Sequence, residues 1–192
     1  KTDGAEYNYS LLYICVCDRF IVYMRLYFDN GGMQMFRKMR RFKQELGHEE
    51  CVRILKEQKR GVLSLLGDDG YPYGIPIDYW YSEEDNKLYF HGAGEGHKMD
   101  AIKNCDKASF CVYDEGYAKD GEWALNISSV IAFGRMAVVD DRDKILEICT
   151  KLCLKFTDDK EYIEQEIKRS GSRVCCLALS VEHMTGKLVN ES

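Results

Sequence analysis

What most constrains this chain is a series of short apolar runs separated by turn residues. The runs are too brief for helices and too regularly interrupted for one long element. Val62-Leu63-Ser64-Leu65-Leu66 is stopped by Gly67-Asp-Asp-Gly70, a strong hairpin signal, and a partner strand is predicted from Tyr73 to Tyr81. After the polar turn Ser82 to Asn86, Lys87 to Gly92 reads as a third strand, so three antiparallel strands are expected in a row. Ala108 to Tyr113 is the next strand. Trp123 to Val139 contains Ile127-Ser-Ser-Val-Ile-Ala-Phe-Gly-Arg, read as a strand buried on both faces over part of its length. Val174 to Val181, with Lys187 to Val189, closes the chain in β form.

Helices fall between these strands. Glu49 to Lys59 sets Val52, Ile54 and Leu55 among charges, and Gly61 follows the basic pair Lys59-Arg60. His97 to Asn104 opens behind Gly92, Gly94 and Gly96. Asp140-Asp141 caps a helix with Ile145, Leu146, Ile148, Cys149 and Leu152 on one side, and a further helix spans about Asp159 to Arg169. Hairpin-linked strands with interspersed helices predict an α+β protein built on a small barrel.

Composition sets the partners. The chain has 192 residues, 45% hydrophobic and 31% charged, which is ordinary globular usage. Its net charge is −5 with no long basic run, which argues against a nucleic-acid surface. Nine cysteines stand at 15, 17, 51, 105, 111, 149, 153, 175 and 176, an odd count without a Cys-x-x-Cys pair. Most lie inside apolar patterns as small hydrophobes, the usage of a reducing, cytoplasmic compartment. Cys149 and Cys153 are four apart on a helix, but the two further ligands of a closed metal site are not evident nearby, so no metal is expected.

The stretch Leu11 to Phe28 is the most apolar of the chain, yet Asp18, Arg19 and Arg25 lie inside it. Each such charge costs roughly 2.5–3.5 kcal/mol near a bilayer centre, so a membrane span is not expected. A signal peptide fails for want of a basic leading region, and the Tyr, Phe, Val and Ile content favours a strand or strand-like arm. Asp29-Asn-Gly-Gly32 then breaks the pattern before Met35. The expected organisation is an N-terminal extension of uncertain origin over 1–34, which is either an appended segment or an arm crossing onto a partner subunit, and one domain over 35–192.

The densest place for chemistry is Tyr89-Phe-His-Gly-Ala-Gly-Glu-Gly-His-Lys-Met-Asp-Ala-Ile. A strand leads through a glycine-rich turn into a helix with a lysine in its first turn. Backbone N–H groups, the helix dipole and an ammonium converge there, as a phosphate requires. Spacing alone is equally that of an ordinary glycine-rich turn, and it is neither a P-loop nor a dinucleotide fingerprint. His91 and His97 lack a third ligand, so a histidine lining a pocket is the preferred reading over a metal.

The order GVLSLLGDDGYPYGIPIDYWY, KLYFHGAGEGHKMDAIKNCDKASFCVYD and WALNISSVIAFGR resembles the pyridoxamine 5′-phosphate oxidase-like flavin-binding split-barrel family, closest to its nitroimidazole-resistance (Nim-type) branch. The resemblance covers about Met39 to Asn190, and 1–34 has no counterpart in it. It implies a six-stranded antiparallel split β-barrel with flanking helices. It also implies a homodimer with FMN, or FAD in its place, in clefts between subunits. By that resemblance His91, Gly92, Gly96, His97 and Lys98 hold the phosphate and ribityl chain. Pro76, Ile77 and Asp78 pass beneath the flavin ring with their backbone facing its edge, and Ser129 and Val130, with Trp123, come from the other subunit. The arginine-rich set of the true oxidases is not visible, which speaks against vitamin B6 oxidation. Two functions follow from the resemblance. One is an FMN-dependent oxidoreductase reducing a small electron-poor substrate such as a nitroaromatic, with His91, Tyr79 and Trp123 on the substrate side. The other is a non-catalytic flavin- or haem-binding or sensing module.

Overall fold

The structure is a computed structural model that describes residues 14–17, 20–23, 36–170 and 174–189, the first two segments by their backbone alone. The chain divides into two compact units, 1–38 and 39–192. In the first, Ile14–Cys17 (β1) and Phe20–Tyr23 (β2) pair antiparallel, with Ile14 opposite Tyr23. The rest of the expected 1–34 extension lies outside the described residues.

The second unit runs β3 (Glu45–Leu46), α1 (His48–Glu57), β4 (Arg60–Leu66), β5 (Pro72–Asp78), β6 (Trp80–Ser82), β7 (Lys87–Gly92), α2 (His97–Asn104), β8 (Lys107–Tyr113), β9 (Tyr117–Ala118), β10 (Leu125–Val139), α3 (Arg142–Leu154), α4 (Lys160–Ser170) and β11 (Cys175–Val189). One antiparallel sheet takes the order β5-β4-β8-β10-β11-β7-β6, with β3 added to β11 and β9 to β10. Six strands, β4, β5, β7, β8, β10 and β11, carry the sheet, and β3, β6 and β9 are two or three residues long. The sheet curls until β5 meets β7. The fold is an α+β antiparallel split barrel.

Three local readings differ from the sequence. The Tyr73–Tyr81 run is cut at Tyr79, leaving β5 on β4 while β6 turns to pair with β7. Tyr79 is fully buried at that corner, its ring edge-on to Phe110 at 4.6 Å. Strands β4, β5 and β7 therefore do not form a three-strand row: β8, β10 and β11 stand between β4 and β7. Strand β10 alternates buried and more exposed positions along most of its length, rather than being buried on both faces. Finally, the C-terminal β segments are one continuous strand.

Two apolar clusters share β7. Leu88 and Phe90 join the barrel core with Leu63, Phe110, Val112, Val130 and Leu179. Tyr89 joins Ile145, Ile148 and Leu152 of α3 and Cys176 and Ala178 of β11. Because side chains alternate along a strand, Gly92 continues the barrel face and His91 the α3 face. Asp141 caps α3, accepting the N–H groups of Asp143 at 2.9 Å and Lys144 at 3.2 Å. Among the described residues no helix is long and apolar enough to cross a membrane.

Candidate functional site

At the barrel face of β7, the chain turns through Gly94 and Gly96 into α2. Gly96 caps the helix at φ 99°, a backbone region that L side chains rarely adopt, and no side chain caps the first turn. Lys98 folds back along the strand: a Cβ built on Gly92 would lie 2.5 Å from its Nζ. Among the described residues no carboxylate pairs with that ammonium. His97 stacks on Tyr73 of β5, centroids 4.1 Å apart at 14°, with Nε2 3.6 Å from Asp68 Oδ2. This stack ties the start of α2 to the opposite edge of the curled sheet. The result is an open cradle of helix-start N–H groups and an unpaired cation, the donor set that suits a phosphate monoester.

Beyond the other face of β7 lies a cavity of about 190 Å³ lined by His91, Cys149, Leu152, Cys153, Glu166, Ile167 and Val174. His91 thus stands against α3 and α4, while Gly92 and Lys98 face the barrel. The sequence had grouped these three residues together, and strand alternation separates them.

The remaining expected residues scatter. Pro76 lines a broad groove of about 770 Å³ with Lys59, Arg60, Tyr113, Glu115 and Phe156. Tyr73 and Pro76 are on opposite faces of β5, roughly 10 Å apart at the strand rise. Ile77 packs against the barrel core. Asp78 accepts from Arg60 Nε at 2.6 Å, which commits its carboxylate to that pair. Val130 is fully buried in the barrel core, on a strand paired with β8 on one side and β11 on the other. Ser129 Oγ lies 3.5 Å from the Lys187 carbonyl oxygen. Tyr79 is fully buried: among the described residues its hydroxyl has no hydrogen-bond partner, burial pushes its pKa up, and Lys155 Nζ sits 3.9 Å from its ring centroid. Trp123 is 87% exposed just before β10, beside the exposed Tyr117 and Leu125.

Sequence reading missed Lys155, which follows α3, donates to the Gln58 carbonyl oxygen and is held down to about 8 by burial. A lysine at a helix end gives no signal that its ammonium will be tucked over a buried ring. Among the described residues no group of three or more His, Cys, Asp and Glu side chains is arranged to hold a metal.

Residues 47–188 match the family described as pyridoxamine 5′-phosphate oxidase. The chain belongs to that family. Solved structures share the fold. A candidate 5-nitroimidazole antibiotic resistance protein from Bacteroides thetaiotaomicron superposes with TM-score 0.62 at 16% identity, over 75% of this chain and 86% of its own. An FAD-binding protein from Mesorhizobium loti gives 0.55 at 20%, over 77% and 98%. An FAD- and heme-binding protein from Mycobacterium smegmatis gives 0.57 at 19%, over 78% and 74%. No curated protein matches the sequence.

Proposed function

We propose that this family member is a flavin-dependent oxidoreductase that binds FMN and reduces a small electron-poor substrate such as a nitroaromatic, as a homodimer. The observation that carries the reading is Lys98: an unpaired ammonium held over Gly92 beside the uncapped start of α2. Those groups would hold the flavin's phosphate, and the flavin, when bound, supplies the redox chemistry. The chain's own part is to bind and orient. The His97–Tyr73 stack keeps the start of α2 in place, and Gly92 leaves room for the ammonium to lie along the strand.

The dimer is supported by the aromatic and apolar surface of Tyr113, Tyr117, Trp123, Leu125 and Ile131, all exposed in the single chain. A partner subunit covering it would bring Trp123, and the backbone at Ser129 and Val130, toward a flavin held by the first subunit. Of the three residues expected on the substrate side, Trp123 is the one we keep in that role, supported by its exposure, while Tyr79 is buried and His91 lies on the α3 face. The non-catalytic module is favoured by one finding, the shared fold of the FAD- and heme-binding protein.

The two readings part on turnover. Protein loaded with FMN is reduced anaerobically by NADH or NADPH and then offered a nitroimidazole. The oxidoreductase reading expects the bleached flavin to recover its absorbance as the nitro compound is consumed. Bleaching with no reoxidation assigns the chain to the module, and failure to take up flavin overturns both.

A further inference from the structure

The cavity behind His91 is a second place where chemistry converges, and the flavin reading does not use its thiols. Cys149 and Cys153 reach its wall from successive turns of α3, both half-buried, while Glu166 and Ile167 of α4 form the facing side. Beneath them Cys176 of β11 is fully buried in the cluster against which Cys149 packs, and it stands opposite His91 in the β7–β11 register. Cys149 packs against the cluster that holds Cys176, and each of the two thiols shifts the titration of the other. Cys175, next in sequence, packs instead against the barrel core on the other face of β11. Of these four thiols, one neighbouring pair therefore combines a member that lines the cavity with a member buried behind it.

We propose that Cys149 and Cys176 form a peroxide-reactive dithiol site, with Cys149 the thiol that a small hydroperoxide reaches through the cavity and Cys176 the thiol that resolves it to a disulfide. In the first step the Cys149 sulfur attacks hydrogen peroxide. The O–O bond breaks, one oxygen stays as a sulfenic hydroxyl, and the other leaves as water with the thiol proton. In the second step the Cys176 sulfur attacks the Cys149 sulfur. The S–O bond breaks, and the hydroxyl leaves as water with the Cys176 proton. Two thiols lose two electrons in total, and one peroxide becomes two waters.

The order of attack follows from the surroundings. The neighbouring Cys176 thiol holds the Cys149 thiol below the ordinary range, burial opposes this, and Arg142 adds to it. Cys149 in turn, with burial, pushes Cys176 up. Cys153 is raised by its burial and by the neighbouring Cys149 and Glu166, so it is the poorer nucleophile at the same wall. A cavity of about 190 Å³ gives a molecule the size of peroxide ample room beside Cys149, while Cys176 is fully buried.

The test uses the full-length protein treated with hydrogen peroxide, then alkylated under denaturing conditions and digested with trypsin. Cleavage after Lys151 separates Cys149, in 145–151, from Cys153, in 152–155, and Cys176 falls in 174–187. The expected product is 145–151 joined to 174–187, with fragmentation placing the link on Cys176 and alkylation of Cys149 lost in step. Cys149→Ser should abolish the link. Cys176→Ser should leave Cys149 as a sulfenic acid that dimedone traps. A link from Cys149 to Cys153 or Cys175, or Cys149 alkylated as fully after peroxide as before, overturns the proposal. The wild-type map decides by itself should Cys176→Ser fail to fold. Flavin-free protein should give the same result, which keeps this outcome independent of the flavin reading.

Discussion

The two faces of β7 end in different chemistry. On the barrel face, Gly92 leaves a gap that Lys98 fills, and the groups around it are backbone donors and one cation in an open setting. On the α3 face, His91 borders a partly open cavity walled by two thiols, aliphatic side chains and Glu166. Adjacent residues of one strand thus border two different sites, one with a cation and helix-start donors, the other with thiols. What distinguishes them is the partner element. Helix α2 leaves the strand end and points its N-terminus back at it, whereas α3 lies across the strand and seals it with Ile148 and Leu152.

Lys155, just beyond α3, gives the largest expected effect. Its ammonium is disfavoured by burial, so the folded state gives up the proton near pH 8 while the unfolded chain keeps it to about 10.5. The unfolded state binds more protons between those values, so the cost is fully present below pH 8 and is relieved as the pH rises toward 10.5. Lys155→Met should raise stability by about 1–3 kcal/mol at pH 7, with the advantage over wild type shrinking by pH 10 in urea titrations. It should leave flavin affinity unchanged, because Lys155 contacts Tyr79 and Gln58 and neither Gly92 nor Lys98. A change in flavin affinity would extend the flavin site to the Tyr79 corner.

Gly92→Ala addresses the barrel face. Its Cβ meets only the mobile end of Lys98, so the fold should survive while the ammonium is displaced. FMN affinity measured by fluorescence quenching should fall by about 1 kcal/mol, the scale of one charge-assisted hydrogen bond made poorer. The smallest effect is expected for His91→Ala. Since the ring lies on the α3 face, FMN affinity should stay within about 0.5 kcal/mol of wild type, as for a change outside the site. A loss as large as that of Gly92→Ala would restore the grouping that the sequence implied.

The cradle was legible in the sequence because it is local. A strand, spaced glycines and a lysine in the first turn of a helix lie within one short segment, and Gly96 has the positive φ that such a turn requires. The split of His91 from Gly92 was not legible. Period-two alternation reveals faces only when one of them is polar, and Leu88, Tyr89 and Phe90 are all buried because the barrel core covers one face and α3 the other. Tyr79, put on the substrate side by the family resemblance, is the buried corner between β5 and β6. The proximity of Cys149 and Cys176 joins a helix to a strand distant in sequence, and no spacing rule predicts such a pairing. Strand order was half legible for a related reason: hairpin signals give β4 with β5 and β6 with β7, but the insertion of β8, β10 and β11 between them is a long-range choice.

The central claim is that Lys98 and the start of α2 hold a flavin's phosphate. It is tested most directly by titrating the wild type and Lys98→Ala with FMN and with riboflavin, which differs only in lacking that phosphate. The account predicts that the wild type prefers FMN and that Lys98→Ala loses about 1–3 kcal/mol of that preference while riboflavin affinity stays the same. Equal affinity of the wild type for both flavins, or an undiminished FMN preference in Lys98→Ala, would contradict it.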